Sequence, residues 1–230
     1  MRKKLLDELM LDKAPHALRH YPTGCPPPAA IVPICPPLQD DAELLYVPQH
    51  TRSSAEQAFL EGYISTRLEY GIDEPGNAYA NLPLFTVPKP DTEDRRVIFD
   101  DSVGSTINMQ KLGMKLPNTN DVKLFLPDAR LITSVDLASF FTAIPVAEDA
   151  RDHWTYDGGA HGRMRSRRLI QGNSVSPAIA QAFLTQILEN ISGLRSKLIW
   201  YIDNIYLKST DGNEKSHIKD IGTLVRGLAR

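Results

Sequence analysis

Two aspartates and a glutamine carry the chemistry that this sequence can support. Asp136 lies within Ser134-Val135-Asp136-Leu137-Ala138-Ser139-Phe140-Phe141, and Asp203-Asn204 follow Tyr201-Ile202. Gln171 and Gly172 open the turn Gln171-Gly172-Asn173-Ser174-Val175-Ser176-Pro177. Each segment puts an acidic or amide tip at the end of an apolar run or at a turn, where it can meet a metal ion or a nucleotide. Hard oxygen ligands on separate strands can hold magnesium ions roughly 3.5–4 Å apart around an attacking hydroxyl and a triphosphate. Taken singly, an Asp after a strand is more often a cap or a turn residue, and Asp203-Asn204 suits a two-residue hairpin for its backbone alone. Their joint setting is what raises both.

The elements that must position these residues can be read from pattern. Ser53 to Tyr70 has helical spacing, with Ala58, Leu60, Tyr63, Ile64 and Leu68 on the expected inner side and Gly71 and Pro75 as a stop. Leu82–Val87 and Arg95–Phe99 read as strands joined by the polar turn Lys89 to Asp94. Asn120 caps an expected short helix to Leu126, and Ala129–Val135 is a strand that delivers Asp136 at its end. Arg163–Ile170 reads as a further strand. Ser176 and Pro177 start the clearest helix, which Gly193 is expected to end. Leu198–Ile202 and Ile205–Leu207 are strands meeting at Asp203-Asn204, and a last helix covers Asn213 to Leu228. Antiparallel strands packed on helices make an α+β fold.

Composition sets the outer bounds. The chain has 230 residues, 42% hydrophobic and 23% charged, enough for one good core or two small lobes. No apolar run approaches the length of about 20 residues needed to span a bilayer, and acids interrupt the N-terminal apolar stretch, so no membrane role and an intracellular location are expected. A net charge of −2 argues against a surface coated in positive charge and still allows a local basic cleft. Cys25 and Cys35 have neither the spacing of a zinc site nor the number of a disulfide scaffold, and free thiols are expected. Nine of the 17 prolines fall in the first 50 residues, so beyond a short helix over Lys3 to Leu11 this segment reads as an extended arm or strap.

The run Arg163, Arg165, Arg167 and Arg168 alternates along the expected strand and puts three arginines on one face. Such a row is either an exposed edge kept soluble by charge or a contact for template or primer phosphates. His217 is expected at the surface of the last helix.

From about Ala55 to Arg230 the sequence resembles the fingers and palm of retroelement reverse transcriptases, most nearly those of gypsy-type LTR retrotransposons and retroviruses. Val135-Asp136-Leu137 with Phe141 and Ile144-Pro145-Val146 looks like that family's first catalytic motif. Ile170-Gln171-Gly172 through Ser176-Pro177-Ala178-Ile179 with Gln181 is similar to the second, and Tyr201-Ile202-Asp203-Asn204 to the third. The resemblance implies a polymerase palm with fingers, with the catalytic hairpin at Tyr201–Asn204. It implies Asp136 and Asp203 as catalytic ligands of Mg2+ or Mn2+, with Asn204 beside them, and Phe141 as a gate against the ribose 2′-OH. Lys89 and Arg96 of the fingers hairpin would grip the triphosphate, with Gln171 and Gly172 against the incoming nucleotide. Arg163, Arg165, Arg167 and Tyr201 would meet nucleic acid. The implied activity is RNA-directed DNA polymerisation, with dNTP and a primed RNA or DNA template as partners.

Two departures from the family's pattern stand out. Its third motif normally ends in two acids, whereas this chain has Asn204, and Asp100-Asp101-Ser102 follow the fingers hairpin where an aromatic and an Arg are usual. The expected organisation is a Pro-rich arm over 1–52, a fingers-like region over 53–128 and a palm over 129–230, without thumb or ribonuclease H. The alternative expectation is a weakened or inactive relative, a structural or nucleic-acid-binding subunit whose Pro-rich arm docks on a protein partner.

Overall fold

The computed structural model describes residues 26–90, 92 and 94–228. The expected helix over Lys3 to Leu11 and Cys25 lie outside the described residues. Two compact units divide the chain, and neither is one continuous segment: described residues 26–113 and 139–179 form one, and 114–138 and 180–228 form the other. Among the described residues, no helix is long and apolar enough to cross a membrane.

The first unit is organised around helix α1 (Ser54–Glu69). Ser53 caps it, its hydroxyl accepting from the Glu56 N–H at 3.2 Å, and Gly71 at φ +62° lets the chain turn away at the other end. Leu60 and Ile64 are buried, as is Arg67, whereas Ala58 is exposed, so the inner face is rotated from the one expected. The cause is ionic. Arg67 Nε and Nη2 donate to Asp73 at 2.5 and 2.7 Å, and Tyr156 Oη donates to the same carboxylate at 2.5 Å. A three-stranded antiparallel sheet runs in the order β1 (Asp73–Pro75), β6 (Arg163–Ser166), β5 (Thr155–Asp157), and β2 (Leu84–Pro88) pairs with β3 (Arg95–Phe99) in a separate hairpin. Trp154, Tyr156, Leu84, Ile144, Met164 and Ile170 are fully buried in its core. Strand β6 ends at Ser166 rather than continuing to Ile170, because from Arg167 onward the backbone bonds instead to Ile72, Ile144 and Val146.

The described part of the proline-rich segment, residues 26–52, runs without helix or strand, since each proline removes a donor from any ladder. It is held instead by scattered bonds to its own unit: Ala29 N to Ala143 O at 2.7 Å, Ile34 N to Pro145 O at 2.9 Å, Gln39 N to Asn108 O at 2.7 Å and Val47 N to Asn81 O at 2.9 Å. Cys35 is a free, exposed thiol. Helix α2 (Ser102–Ile107) was not apparent from pattern, being one short turn and a half with Gly104 buried inside it.

The second unit is a three-stranded antiparallel sheet in the order β4 (Leu131–Asp136), β8 (Asn204–Ser209), β7 (Lys197–Tyr201). Helix α6 (Glu214–Leu228) packs against β4 and β8 through Ile221, Leu224 and Val225, the buried stripe its strong amphipathicity requires. His217 belongs to that stripe and is buried, not at the surface. Its Nε2 lies 2.8 Å from Thr133 Oγ1 and its Nδ1 2.6 Å from Ser209 Oγ, so a polar ring is accommodated because both nitrogens have partners. Helix α3 (Thr119–Phe125) is capped by Asn118 rather than Asn120, because Asp121 returns a bond to the Asn118 N–H and closes a capping box. Lys208 Nζ then donates to the carbonyls of Phe125 and Pro127, tying the end of α3 to β8. Helix α5 (Ser176–Glu189) starts in the first unit and contributes Ala180 onward to the second, ending four residues before Gly193.

Candidate active site

Of the two acids of the proposed centre, Asp136 ends strand β4 and Asp203 lies in the loop between β7 and β8, all in the second unit. In the β4–β8 ladder Asp136 stands opposite Asn204, and the next residue, Leu137, donates its N–H to the Asp203 carbonyl at 2.9 Å. Two residues 68 positions apart in sequence thereby share one rung. Asp136 is exposed, on the face shared by Ile132 and Ser134, while Asp203 and Asn204 are half-buried. Asn204 Nδ2 donates to Asp203 Oδ1 at 2.8 Å, so the amide of this motif partners the carboxylate next to it.

The hairpin differs from the one expected. Tyr201 pairs with Asn204, so the two-residue loop is Ile202-Asp203, and the positive φ of +56° belongs to Ile202 rather than to an Asp or Asn. A β-branched residue there is strained by roughly 1–2 kcal/mol. The loop is held by Gln181 of α5, a buried residue whose Oε1 accepts the Ile202 N–H at 2.6 Å, and by Thr185, whose hydroxyl accepts from Trp200 Nε1 at 3.0 Å. Gln181 stood out in the sequence as part of a motif. Its bond to the hairpin had no sequence signal.

The other expected site residues belong to the first unit. Lys89 and Arg96 lie on the β2–β3 hairpin, where Arg96 is exposed opposite Val87 and Lys89 Nζ pairs with Asp94 at 2.5 Å. Arg95, not singled out from sequence, is the more anchored cation: its Nε donates to Thr86 Oγ1 at 2.6 Å, and that hydroxyl donates to Glu56 at 2.8 Å. Phe141 is half-buried on the single turn α4 (Phe140–Ala143), entered through Ser139 at φ +53°. Gln171 accepts the Phe99 N–H at its carbonyl, 3.0 Å, and Gly172 follows at φ +113°. A Cβ on Gly172 would lie 1.9 Å from the Phe99 carbonyl oxygen, so only glycine lets the turn approach β3 this closely.

The same turn is pinned from the segment that follows β3. Asp101 is buried and accepts from Asn173 Nδ2, and burial pushes its carboxyl up to about 6. Of the arginine row, Arg165 is bound to Asp152 at 2.8 Å and to Glu74 at 2.9 Å, Arg167 Nε lies 3.5 Å from Glu74, and Arg163 Nε donates to the Ala78 carbonyl at 3.0 Å. Tyr201 is exposed beside the hairpin loop. Among the described residues, no three His, Cys, Asp or Glu side chains cluster as a closed metal site.

Relatives share this architecture. A foamy virus protease–reverse transcriptase (the prototype foamy virus CSH mutant) superposes with a TM-score of 0.82 at 21% identity, over 99% of this chain and 29% of the other. A foamy viral protease–reverse transcriptase solved in complex with double-stranded DNA gives 0.78 at 19% identity, over 99% and 41%. In sequence, the Gag-Pol polyprotein of Walleye dermal sarcoma virus is 23% identical over 200 residues, covering 86% of this chain and 11% of the polyprotein. The retrovirus-related Pol polyprotein from the Drosophila melanogaster transposon opus is 28% identical over 176 residues, covering 74% and 17%. The chain thus spans less than a fifth of these polyproteins. The family model for "Reverse transcriptase (RNA-dependent DNA polymerase)" matches residues 87–230, and the chain belongs to that family.

Proposed function

We propose that the chain performs RNA-directed DNA polymerisation, with Asp136 and Asp203 holding Mg2+ or Mn2+. The observation that carries this reading is the rung that sets Asp136 opposite Asn204 and bonds Leu137 to Asp203. Two carboxylates and an amide oxygen are a poor closed cage. They fit a hard cation that keeps waters and takes its remaining ligands from substrate phosphates, which needs only one or two protein carboxylates. A bound divalent ion would favour ionisation of the primer hydroxyl and offset charge on the triphosphate.

The chain's own residues do the rest. Lys89 and Arg96 neutralise triphosphate oxygens, Lys89 exchanging Asp94 for phosphate. Gln171, set by the Gly172 turn, positions the nucleotide, and the Phe141 ring excludes a ribose 2′-OH. Arg163, Arg167 and Tyr201 face the template-primer, with Arg165 already paired with acids. A double-stranded partner is proposed by likeness to the foamy viral enzyme bound to DNA.

Primer extension on an RNA template with Mg2+ or Mn2+ tests the proposal. Asp136→Ala should lose at least about 10²-fold in rate, and Asn204→Asp, which adds a third carboxylate, should gain. Silence of both the wild-type chain and Asn204→Asp would overturn the reading.

A further inference from the structure

Arg168 is a buried cation whose Nε has no hydrogen-bond acceptor among the described residues. The residue is only 7% exposed, and among the described residues its guanidinium has no ion pair with a carboxylate. Its backbone, by contrast, is fully engaged: it bridges Pro145, donates its N–H to Ser166 Oγ at 3.3 Å, and accepts from that hydroxyl at 2.9 Å. The position is therefore fixed while the buried Nε donor is left without an acceptor among the described residues. Leaving a guanidinium in that state is costly, and arginines so placed are normally paired.

The surroundings make the imbalance worse. Arg67 is taken up by Asp73, and Glu74 serves three arginines at once: Arg151 at 3.1 Å, Arg165 at 2.9 Å and Arg167 at 3.5 Å. Arg165 Nε and Arg167 Nε are also buried without hydrogen-bond acceptors. Arg168 is repelled by Arg167, Arg151 and Arg67, while Asp73 acts the other way. Burial together with this repulsion holds its pKa below the usual value. A local excess of forked donors without acceptors is complementary to an oxyanion that can accept several N–H bonds from planar guanidinium groups.

We propose that Arg168, with Arg167 and Arg151 beside it, forms a binding site for a phosphate oxyanion in the first unit. The phosphate comes from one of two sources, a free phosphate ion or the backbone of a nucleic-acid strand. The site uses neither Asp136 nor Asp203, and it does not depend on polymerase activity.

Thermal unfolding of the full chain tests this, in chloride and in inorganic phosphate at equal ionic strength. At phosphate concentrations near a hundredfold above Kd, wild type should rise by roughly 5 °C. Arg168→Met should show no phosphate-specific rise, and in chloride it should be at least as stable as wild type. Arg168→Lys, keeping the charge without the fork, should keep a smaller rise. If Arg168→Met does not fold, hydrogen exchange of the amides of Ile144, Val146 and residues 167–169 in wild type decides, slowing on addition of phosphate. A 12-residue DNA strand that competes with phosphate, where a neutral-backbone analogue does not, assigns the backbone as source; failure to compete assigns the free ion. No phosphate-specific rise in wild type, an equal rise in Arg168→Met, or unchanged exchange would overturn the proposal.

Discussion

Gln181 Oε1 accepts the backbone N–H of Ile202 at 2.6 Å, so a side chain of α5 holds the one apolar residue of the described chain that has a left-handed backbone. The bond satisfies a donor that the two-residue loop cannot offer to the ladder, and it offsets strain next to Asp203. Replacing Gln181 by Leu leaves that N–H unsatisfied. A loss of roughly 1–3 kcal/mol is expected in urea unfolding, with at least a tenfold fall in primer extension. Ile202→Gly removes the strain, so adding it to Gln181→Leu should recover part of the stability. Wild-type stability in Gln181→Leu would mean that the loop is held by its strands alone.

How much of this was legible in the sequence depends on whether the determinant was local. Apolar spacing marked α5 and α6, and alternation with flanking turn residues marked β2, β3, β7 and β8 to within a residue or two. Asp136 at a strand end was visible for the same reason. Long-range polar pairing was not. Arg67 turned α1 toward Asp73, His217 entered the core because Thr133 and Ser209 meet it, and Asn118 displaced Asn120 as a cap through Asp121. The positive φ at Ile202 had no local cue, because the residue type there opposes it. Strands β1 and β5, three residues each, were too short to carry a period.

The Arg67–Asp73 pair should behave as a unit. Both side chains are almost wholly enclosed, and Tyr156 Oη and Ser166 Oγ complete the network. Asp73→Leu alone strands a guanidinium and should cost about 3–5 kcal/mol. Arg67→Met with Asp73→Leu should cost much less than the sum of the single changes. A double-mutant cycle in denaturant measures the coupling, and strict additivity would show that the pair has no mutual stabilisation.

Asp101 should make the chain less stable at alkaline pH than at mildly acid pH. Its folded carboxyl is raised from the ordinary 3.8 to about 6, chiefly by burial. The native state therefore holds its proton more tightly than the unfolded state. The associated stability is complete below pH 3.8 and is lost as pH rises through about 6, a difference of roughly 3 kcal/mol. Asp101→Asn keeps an oxygen for Asn173 without the ionisation. It should be more stable than wild type at pH 8 and equal to it near pH 4, as measured by the urea midpoint at each pH. Parallel pH profiles for the two proteins would remove Asp101 as the titrating group.

His217 gives the second unit the opposite dependence. Burial lowers its pKa below the ordinary 6.5 even though Asp220 and Asp211 act to raise it, and Thr133 and Ser209 engage its two nitrogens. The unfolded imidazole then takes up a proton before the folded one does. Its contribution is complete above pH 6.5 and falls away as pH drops through the lower, folded value. Between pH 7 and 5, amides of β4 and β8 should lose hydrogen-exchange protection, while those near Asp101 and Asn173 should gain it. His217→Gln, which cannot take up a proton, should abolish the acid loss on β4 and β8 and leave the Asp101 region unchanged. An acid loss that survives His217→Gln would assign the titration to another group.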